Sequence, residues 1–519
     1  MPYDYKPYDY VPPPGLLTPE PRHKVIIVGA GPVGLTAALD LANHGVASVV
    51  LDDNNVVSVG SRAICWAKRS LEILDRVGIG EACLAKGVAW KVGRTFHRET
   101  EVFRFDLLPE GGHKMPAFVN LQQYHVEELL VAKVLDSPLV DLRFKNRVIE
   151  VSQSDDVAQV SIETPDGIYA LQVDYLLACD GARSPVRTLL GLEFDGELFE
   201  ERFLIADIEM EADFPAERRF WFEPVFHSGQ SALLHKQPDN IYRIDLQLGW
   251  DADPDEEAKP ARILPRIARV VGHANFKLDW TSIYTFQCRR LAKFVHGRVI
   301  FAGDSAHVVS PFGARGGNGG LQDVDALGWR LAAVVKGEAP ARVLDCYDRE
   351  RAFAADENIR HSSRASRFMS PAKGAERRYR DAVLALAART GFARGMVNSG
   401  RLSQPCAYPT LGPDVPGLPI VSRPGRVAPD APLGNDWLLS DLGHDFCVMA
   451  LGCPAPQGTG IRAIKPDITP DLRARYLGDM DQALYLVRPD QIIAGRWAAA
   501  QVTATDIMAC AAACREGAA

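Results

Sequence analysis

The stretch Lys24 to Asp53, KVIIVGAGPVGLTAALDLANHGVASVVLDD, constrains the fold more than any other. Val25 to Val28 read as a buried strand, with Gly29-x-Gly31-x-x-Gly34 at its end. Leu35, Leu39 and Leu41 continue as a helix closed by Gly45, and Val49-Val50-Leu51 returns as a second strand. Gly29 permits the tight turn, Gly31 lets backbone approach a pyrophosphate, and Gly34 lets helix and strand pack closely, with Val33 between them. Asp52 and Asp53 end the second strand, where a carboxylate binds ribose hydroxyls. Strand, glycine turn, helix and strand together predict a Rossmann-like α/β sheet that takes an ADP-containing dinucleotide.

A second stretch, GRVIFAGDSAHVVSPFGARGGNGGLQDVDALGWRL from Gly297 to Leu331, repeats that logic in another form. Val299 to Ala302 are a buried strand, and Gly303-Asp304 puts a carboxylate at its carboxyl end, where ligands sit in open α/β sheets. Pro311 to Asn318 is a loop whose glycines, Gly313, Gly316 and Gly317, let backbone approach a flat ligand around Arg315. The pattern predicts a helix from Gln322 to Leu331, its positive dipole end facing that ligand. A third stretch, Val173 to Leu190, is a strand followed by Asp180-Gly181 and then Arg183, Ser184 and Arg187. Asp180 there reads equally as a cofactor contact or a helix N-cap.

With a GxGxxG near the N-terminus, a central Asp-Gly and a later Gly-Asp in that order, the chain resembles the flavin-dependent aromatic hydroxylases, of the p-hydroxybenzoate hydroxylase and phenol hydroxylase type. The resemblance covers residues 24–370 and departs at Ser310, where many members have proline, and at Arg315, where they often have lysine. It implies non-covalent FAD, with NAD(P)H and O₂ as co-substrates. Asp52 would bind the adenosine ribose, Val148 the adenine through its backbone, and Arg62 the pyrophosphate. Gln123 would reach the ribityl or flavin side, unless it is only a polar residue at a helix start. Asp304 would meet the ribityl hydroxyls, and Gly316, Gly317 and Asn318 would give N–H groups to the flavin's pyrimidine edge. Cys65 is the one residue placed to raise the question of a covalent link.

Residues 196–284 alternate as strands do, with a turn at Pro238-Asp239-Asn240. The strand after it carries Ile241, Arg243, Asp245 and Gln247 on one side and Tyr242, Ile244, Leu246 and Leu248 on the other. Such a sheet, with one apolar side, can roof a substrate, and His235, Tyr242 and Arg243 are its candidate pocket residues. Residues 23–195 and 285–400 then form a discontinuous FAD domain, with part of 90–120 joining the substrate sheet. Helical stretches run over Ala341–Phe368 and Arg377–Val397. A Pro/Gly-rich linker (401–433) leads to residues 434–519, which resemble the thioredoxin-like domain of phenol hydroxylases. That domain has no CxxC, so packing or dimer formation suits it better than redox work. Residues 1–22 hold Pro2-Tyr-Asp-Tyr and Pro7-Tyr-Asp-Tyr before three prolines: an extended arm, either disordered or laid on a neighbouring subunit.

Composition narrows the function classes. The net charge of −8 argues against a nucleic-acid binder. No apolar run is long enough to span a bilayer, and the N-terminus lacks the layout of a secretory signal. Ten cysteines scatter without zinc spacing, Cys510 and Cys514 reading as small core residues, so no metal is expected and the cytoplasm fits. The implied activity is hydroxylation of a phenolic ring through a C4a-hydroperoxyflavin, on a small aromatic substrate. The rivals are a reductase, epoxidase or halogenase on the same fold, or a binding protein that has lost catalysis.

Overall fold

Parallel pairing of His23–Val28 with Ser48–Asp52 on one side and Gly167–Ala178 on the other makes the centre of the main sheet. Val140–Phe144 extends it beyond Ser48–Asp52, and Val299–Phe301 extends it beyond Gly167–Ala178, both again parallel. The computed structural model describes residues 3–249, 252–372, 374–397, 402–409, 412–499 and 502–517. Pro2 and the 400/401 domain boundary lie outside them.

Helices Pro32–Asn43 and Gly316–Val335 pack against this sheet and each other. The closeness is steric: a Cβ on Gly34 would stand 1.9 Å from the Gly29 carbonyl oxygen, and one on Gly320 would stand 2.7 Å from Val33. The second helix starts at Gly316 and not at Gln322, so the glycines read as loop are its first turn. At Gly320, where a Cβ has no room, tertiary packing overrides the poor helix propensity of glycine.

The second sheet runs in the order His307–Val308, Lys277–Arg290, Asp195–Glu209, Ile241–Gln247, Ser231–Lys236, Arg218–Phe222, Val92–His97, Thr100–Asp106. Asp239 and Asn240 both take positive φ (61° and 57°) in the hairpin turn, as a tight two-residue connection requires. Lys277–Arg290 is one unbroken strand through the boundary drawn at 284/285, because its pairing with Asp195–Glu209 continues across it. The predicted helix over Arg377–Val397 is two pieces, Ala375–Ala387 and Gly391–Arg394, parted before Gly391.

The C-terminal sheet has the order Arg462–Ile464, Cys447–Leu451, Ala483–Val487, Ile493–Trp497, with the first pair parallel and the others antiparallel. This is a thioredoxin-type arrangement. The crossover between its parallel strands, usually a helix, is here a loop over 452–461. Buried ion pairs fasten the domain to the rest of its own chain. Arg69 meets Asp325 at 2.7 Å and the Asp490 carbonyl at 2.8 Å, and Arg488 holds Glu350 at 2.7 and 3.0 Å.

The N-terminal arm corrects both readings made of it, since its tyrosines pack on its own chain. Tyr8 stacks on Phe144 with ring centroids 4.8 Å apart, and Tyr3 stacks on Tyr124 at 4.1 Å. Tyr5 accepts the N–H of Gly60 at 2.9 Å. No helix among the described residues is long and apolar enough to cross a membrane.

Candidate active site

A cavity of about 690 Å³ runs from the GxGxxG turn to the second sheet. Its first end is lined by Gly29, Gly31, Val33, Asp52, Asp53 and the strand residue Val148. A Cβ on Gly31 would meet nothing within 4 Å, so the bare backbone faces open space where a pyrophosphate would lie. Asp52 spends one oxygen on the Ala30 N–H (2.6 Å) and the other on the Asn54 N–H (2.8 Å), which fixes the turn. Burial nevertheless pushes its carboxyl up to about 6.

The loop Ser58–Ala63 forms the next wall and carries Arg62. Gln123 holds this loop with both ends of its amide, accepting from the Ala63 N–H (3.0 Å) and donating to Ser58 (3.1 Å) and Glu127 (2.8 Å). Glu127 in turn accepts from the Ser58 N–H at 2.5 Å and its hydroxyl at 2.7 Å. From the other side Arg243 donates to the carbonyls of Ser61 and Arg62, while its remaining donors meet both oxygens of Asp207 (2.8 and 2.7 Å). Arg243 therefore lines the cavity as a clamp between sheet and loop, and its guanidinium is committed to protein partners.

Asp304 and the start of the Gly316–Val335 helix face each other across the middle. Burial raises the Asp304 carboxyl, against the opposing pull of His307 and Arg62. The first bond of that helix runs from the Gly319 N–H to the Arg315 carbonyl (2.7 Å). The N–H groups of Gly316, Gly317 and Asn318 precede it and have no intrahelical acceptor. The Asn318 side chain is a staple, accepting from the Ala67 N–H (2.8 Å) and donating to the carbonyls of Cys65 (2.8 Å) and Ala314 (2.6 Å). Pro311 and Arg315 complete this wall.

Asp180 lines the same cavity; the N-cap of the helix after it is Ser184, whose side chain accepts the Arg187 N–H, and Asp180 only adds a bond to that first turn. Its Oδ2 accepts the Val186 N–H at 2.9 Å at a helix start, while its buried Oδ1 has no partner. Gly34, Gly303 and Gly313 do not line the cavity; they shape the backbone behind it. Gly313 (φ 118°) and Gly303 (φ 68°) hold left-handed turns that favour glycine.

The far end of the cavity is the second sheet, which turns its polar side to the space, so of the three residues named from sequence His235 and Arg243 line it and Tyr242 does not. His235, Arg243 and Asp245 look into the cavity, with Arg218, Leu233 and Ile205 beside them. The apolar side of the strand, with Ile244 and Leu246, is covered by Ile263 and Ile267 of helix Pro260–Val271. Tyr242 goes with it, its hydroxyl donating to the Ala212 carbonyl at 2.7 Å, so it is a core residue and no pocket residue. Burial pushes the Cys65 thiol up to about 12, which keeps it protonated and a poor nucleophile.

Sequence reasoning passed over the group behind the site. Asp323, fully buried, meets His307 at 2.6 Å and Arg351 at 2.6 Å. Its signal in the sequence is weak, a carboxylate two residues before a second one, Asp325, in the same helix.

This donor set fits FAD: an uncovered glycine turn, three helix N–H groups, a buried unpartnered carboxylate oxygen and Asp304. The relatives agree. A family model described as "FAD binding domain" matches residues 22–362. A flavin-dependent monooxygenase of Mycobacteroides abscessus is 31% identical over 90% of this chain and 96% of its own. The 12-dehydrotetracycline 5-monooxygenase/anhydrotetracycline 6-monooxygenase of Streptomyces rimosus subsp. rimosus is 29% identical over 93% of this chain and 97% of its own. Among solved structures, the flavin-dependent monooxygenase PieE, in complex with FAD and substrate, superposes with a TM-score of 0.79 at 22% identity. It covers 95% of this chain and 99% of its own. The chain belongs to the flavin-dependent aromatic hydroxylases, the FAD monooxygenases built on this domain.

Proposed function

We propose that the enzyme uses NAD(P)H and O₂ to place one oxygen on a phenolic or similarly activated ring, with FAD at the GxGxxG end of the cavity. The observation that carries the reading is continuity. One cavity joins the GxGxxG turn to a chamber floored by a sheet, so cofactor and organic substrate would share a single continuous space. FAD, when bound, supplies the electron transfer and the activation of oxygen. The chain's own work is to bind, orient and exclude water. Asp304 and Asp180 would accept hydroxyl donors of the cofactor. The three N–H groups of Gly316, Gly317 and Asn318, at a positive helix end, would stabilise negative charge on the ring system. Arg62 would sit against the pyrophosphate, and Val148 against the adenine. The ten cysteines are free, as a reducing cytoplasmic setting favours.

The test is a panel of phenols, from single rings to fused polycycles, scored for stimulated NAD(P)H oxidation and for hydroxylated product by mass spectrometry. Stimulated oxidation with a product one oxygen heavier supports the reading. Oxidation with every compound, and no oxygenated product from any, replaces it with a flavin reductase.

A further inference from the structure

The sheet end of the cavity holds one polar group whose partner is unaccounted for. Asp245 stands directly across from Leu233 on one neighbouring strand and from Ile205 on the other, both apolar. Its Oδ1 is buried and accepts no hydrogen bond. Buried carboxylate oxygens are rarely left so, because desolvation without a partner is costly. All three residues line the cavity.

The surrounding groups narrow what the missing partner is. Arg218, His235, Arg243 on the same strand, Asp207 and Cys65 are the charged or titratable side chains facing this corner. Arg243 and Asp207 are committed to each other. Burial, with the guanidinium groups of Arg218 and Arg243 adding to it, holds the His235 imidazole well below its ordinary range, so it is a weak base. The Cys65 thiol is protonated, as above. A buried carboxylate oxygen on the cavity wall, with Leu233 and Ile205 across from it and the cations Arg218 and Arg243 near, calls for a ligand O–H.

We propose that Asp245 is the proton acceptor for the ring hydroxyl of the substrate, an inference that rests on the hydroxylase reading above. The phenolic O–H bond breaks, the proton passes to a carboxylate oxygen of Asp245, and the electron pair stays on the ring oxygen. The positive charge of Arg218 on the same wall stabilises the phenolate so formed, which is the more nucleophilic ring. The carboxylic acid returns its proton to water once the product has left. Burial, aided by Asp207 and opposed by Arg243 and Arg218, pushes the Asp245 carboxyl up to about 6, so it is ionised and still basic at neutral pH.

The experiment uses FAD-loaded enzyme and two probes whose ionised form is coloured, para-nitrophenol and 4-nitrocatechol. Each is titrated at a pH below its own ionisation. Wild-type enzyme should bind at least one probe as the coloured phenolate. Asp245→Asn should bind it colourless, and Asp245→Glu should recover part of the colour, while His235→Gln keeps it. Retained FAD stoichiometry in each variant certifies folding. With a phenol turned over by the wild type, kcat/KM of Asp245→Asn should fall roughly 100-fold and lose its acidic limb near pH 6. Phenolate colour that persists in Asp245→Asn, or probes that bind the wild type without ionising or not at all, overturn the proposal. Asp245-dependent ionisation together with no hydroxylated product from any phenol would uphold the proton acceptor and overturn the hydroxylase reading.

Discussion

Asp323 accepts the N–H of Gly303 at 2.9 Å through the same oxygen that meets His307, so the turn carrying Asp304 is pinned from inside the neighbouring helix. Its second oxygen takes Arg351 at 2.6 Å, and Arg351 goes on to the Tyr408 hydroxyl at 2.9 Å. Burial alone would raise the Asp323 carboxyl, but His307 and Arg351 outweigh it and hold it below the ordinary range. Asp323→Ala would strand a buried guanidinium, a change that costs about 3–5 kcal/mol. Urea unfolding of the apo-protein should show that loss, and FAD affinity should fall with it. A variant as stable as wild type would remove this group from the support of the site.

Asp304→Ala tests the site itself. A charged hydrogen bond is worth about 1.5–3 kcal/mol, so FAD affinity should drop roughly ten- to hundred-fold at 1.4 kcal/mol per decade. The apo-protein should stay folded, because Asp304 faces the cavity. Titration of apo-variant with FAD at wild-type affinity would take Asp304 out of the site. Acid precipitation should release all the flavin, given a Cys65 thiol too basic to have reacted.

What could be read from sequence follows how local each constraint is. The GxGxxG and Gly-Asp segments encode their own turns in adjacent residues, so their place at strand ends was legible. The alternation around Tyr242 gives two sides of a strand, but not which side the cofactor occupies. That is decided by helix Pro260–Val271, whose Ile263 and Ile267 cover the apolar side. The arm misled for the same reason, since the partners of Tyr3 and Tyr8 are Tyr124 and Phe144, far along the chain. Gly316 and Gly317 looked like loop because propensity says nothing about long-range packing: their partners are Asp304, Ala63 and Trp66, and Gly320 one turn on meets Val33, nearly three hundred residues earlier in sequence.

Arg243 and Asp207 give a paired prediction. Arg243→Leu alone leaves a buried carboxylate unpaired and releases the carbonyls of Ser61 and Arg62, a loss of about 3–5 kcal/mol. The double variant Arg243→Leu/Asp207→Leu removes both charges and should recover much of that stability. FAD affinity should stay reduced in both, because the Ser58–Ala63 loop has lost its clamp. Thermal unfolding of the two apo-variants with flavin titration checks it; equal stability of single and double variants would contradict the pairing.

The seam between the FAD and C-terminal domains should loosen in acid. Arg76 lies 3.2 Å from Nδ1 of His444, and burial with that neighbouring cation pushes the imidazole down to about 4. The unfolded imidazole titrates near 6.5, so between these values the unfolded chain binds the proton more readily. The contribution is therefore complete above about 6.5 and lost as pH falls toward 4. His44, also pushed down to about 4 by burial and Arg76, has the same slope, while Asp40, pushed up to about 7 by burial, has the opposite one. Limited proteolysis of the domain seam should quicken as pH falls from 7 to 5 in wild type, and less steeply in His444→Gln. Identical pH dependence in both would exclude His444.

Substrate should gate flavin reduction. On the function proposed above, the nicotinamide has to approach the flavin from elsewhere, because the chain carries one glycine-turn dinucleotide unit and FAD takes it. Oxygen transfer, by contrast, needs the ring sealed against the sheet that carries His235 and Asp245. The two demands conflict unless the ring, or the segment Pro311–Ala314 beside it, takes two positions. That segment holds the backbone irregularity such movement needs: Gly313 and Ala314 both have positive φ (118° and 52°), and Ala314 closes a turn onto the Pro311 carbonyl at 3.0 Å. A non-glycine residue held there stores a modest strain. Stopped-flow reduction by NAD(P)H should be at least about a hundred-fold faster with the correct phenol, a barrier difference of about 2.7 kcal/mol. Gly313→Ala, forced toward one conformation by its Cβ, should narrow that ratio more than it changes FAD affinity. Equal reduction rates with and without every phenol on the panel would rule the gate out, and leave the nicotinamide with free access to the flavin.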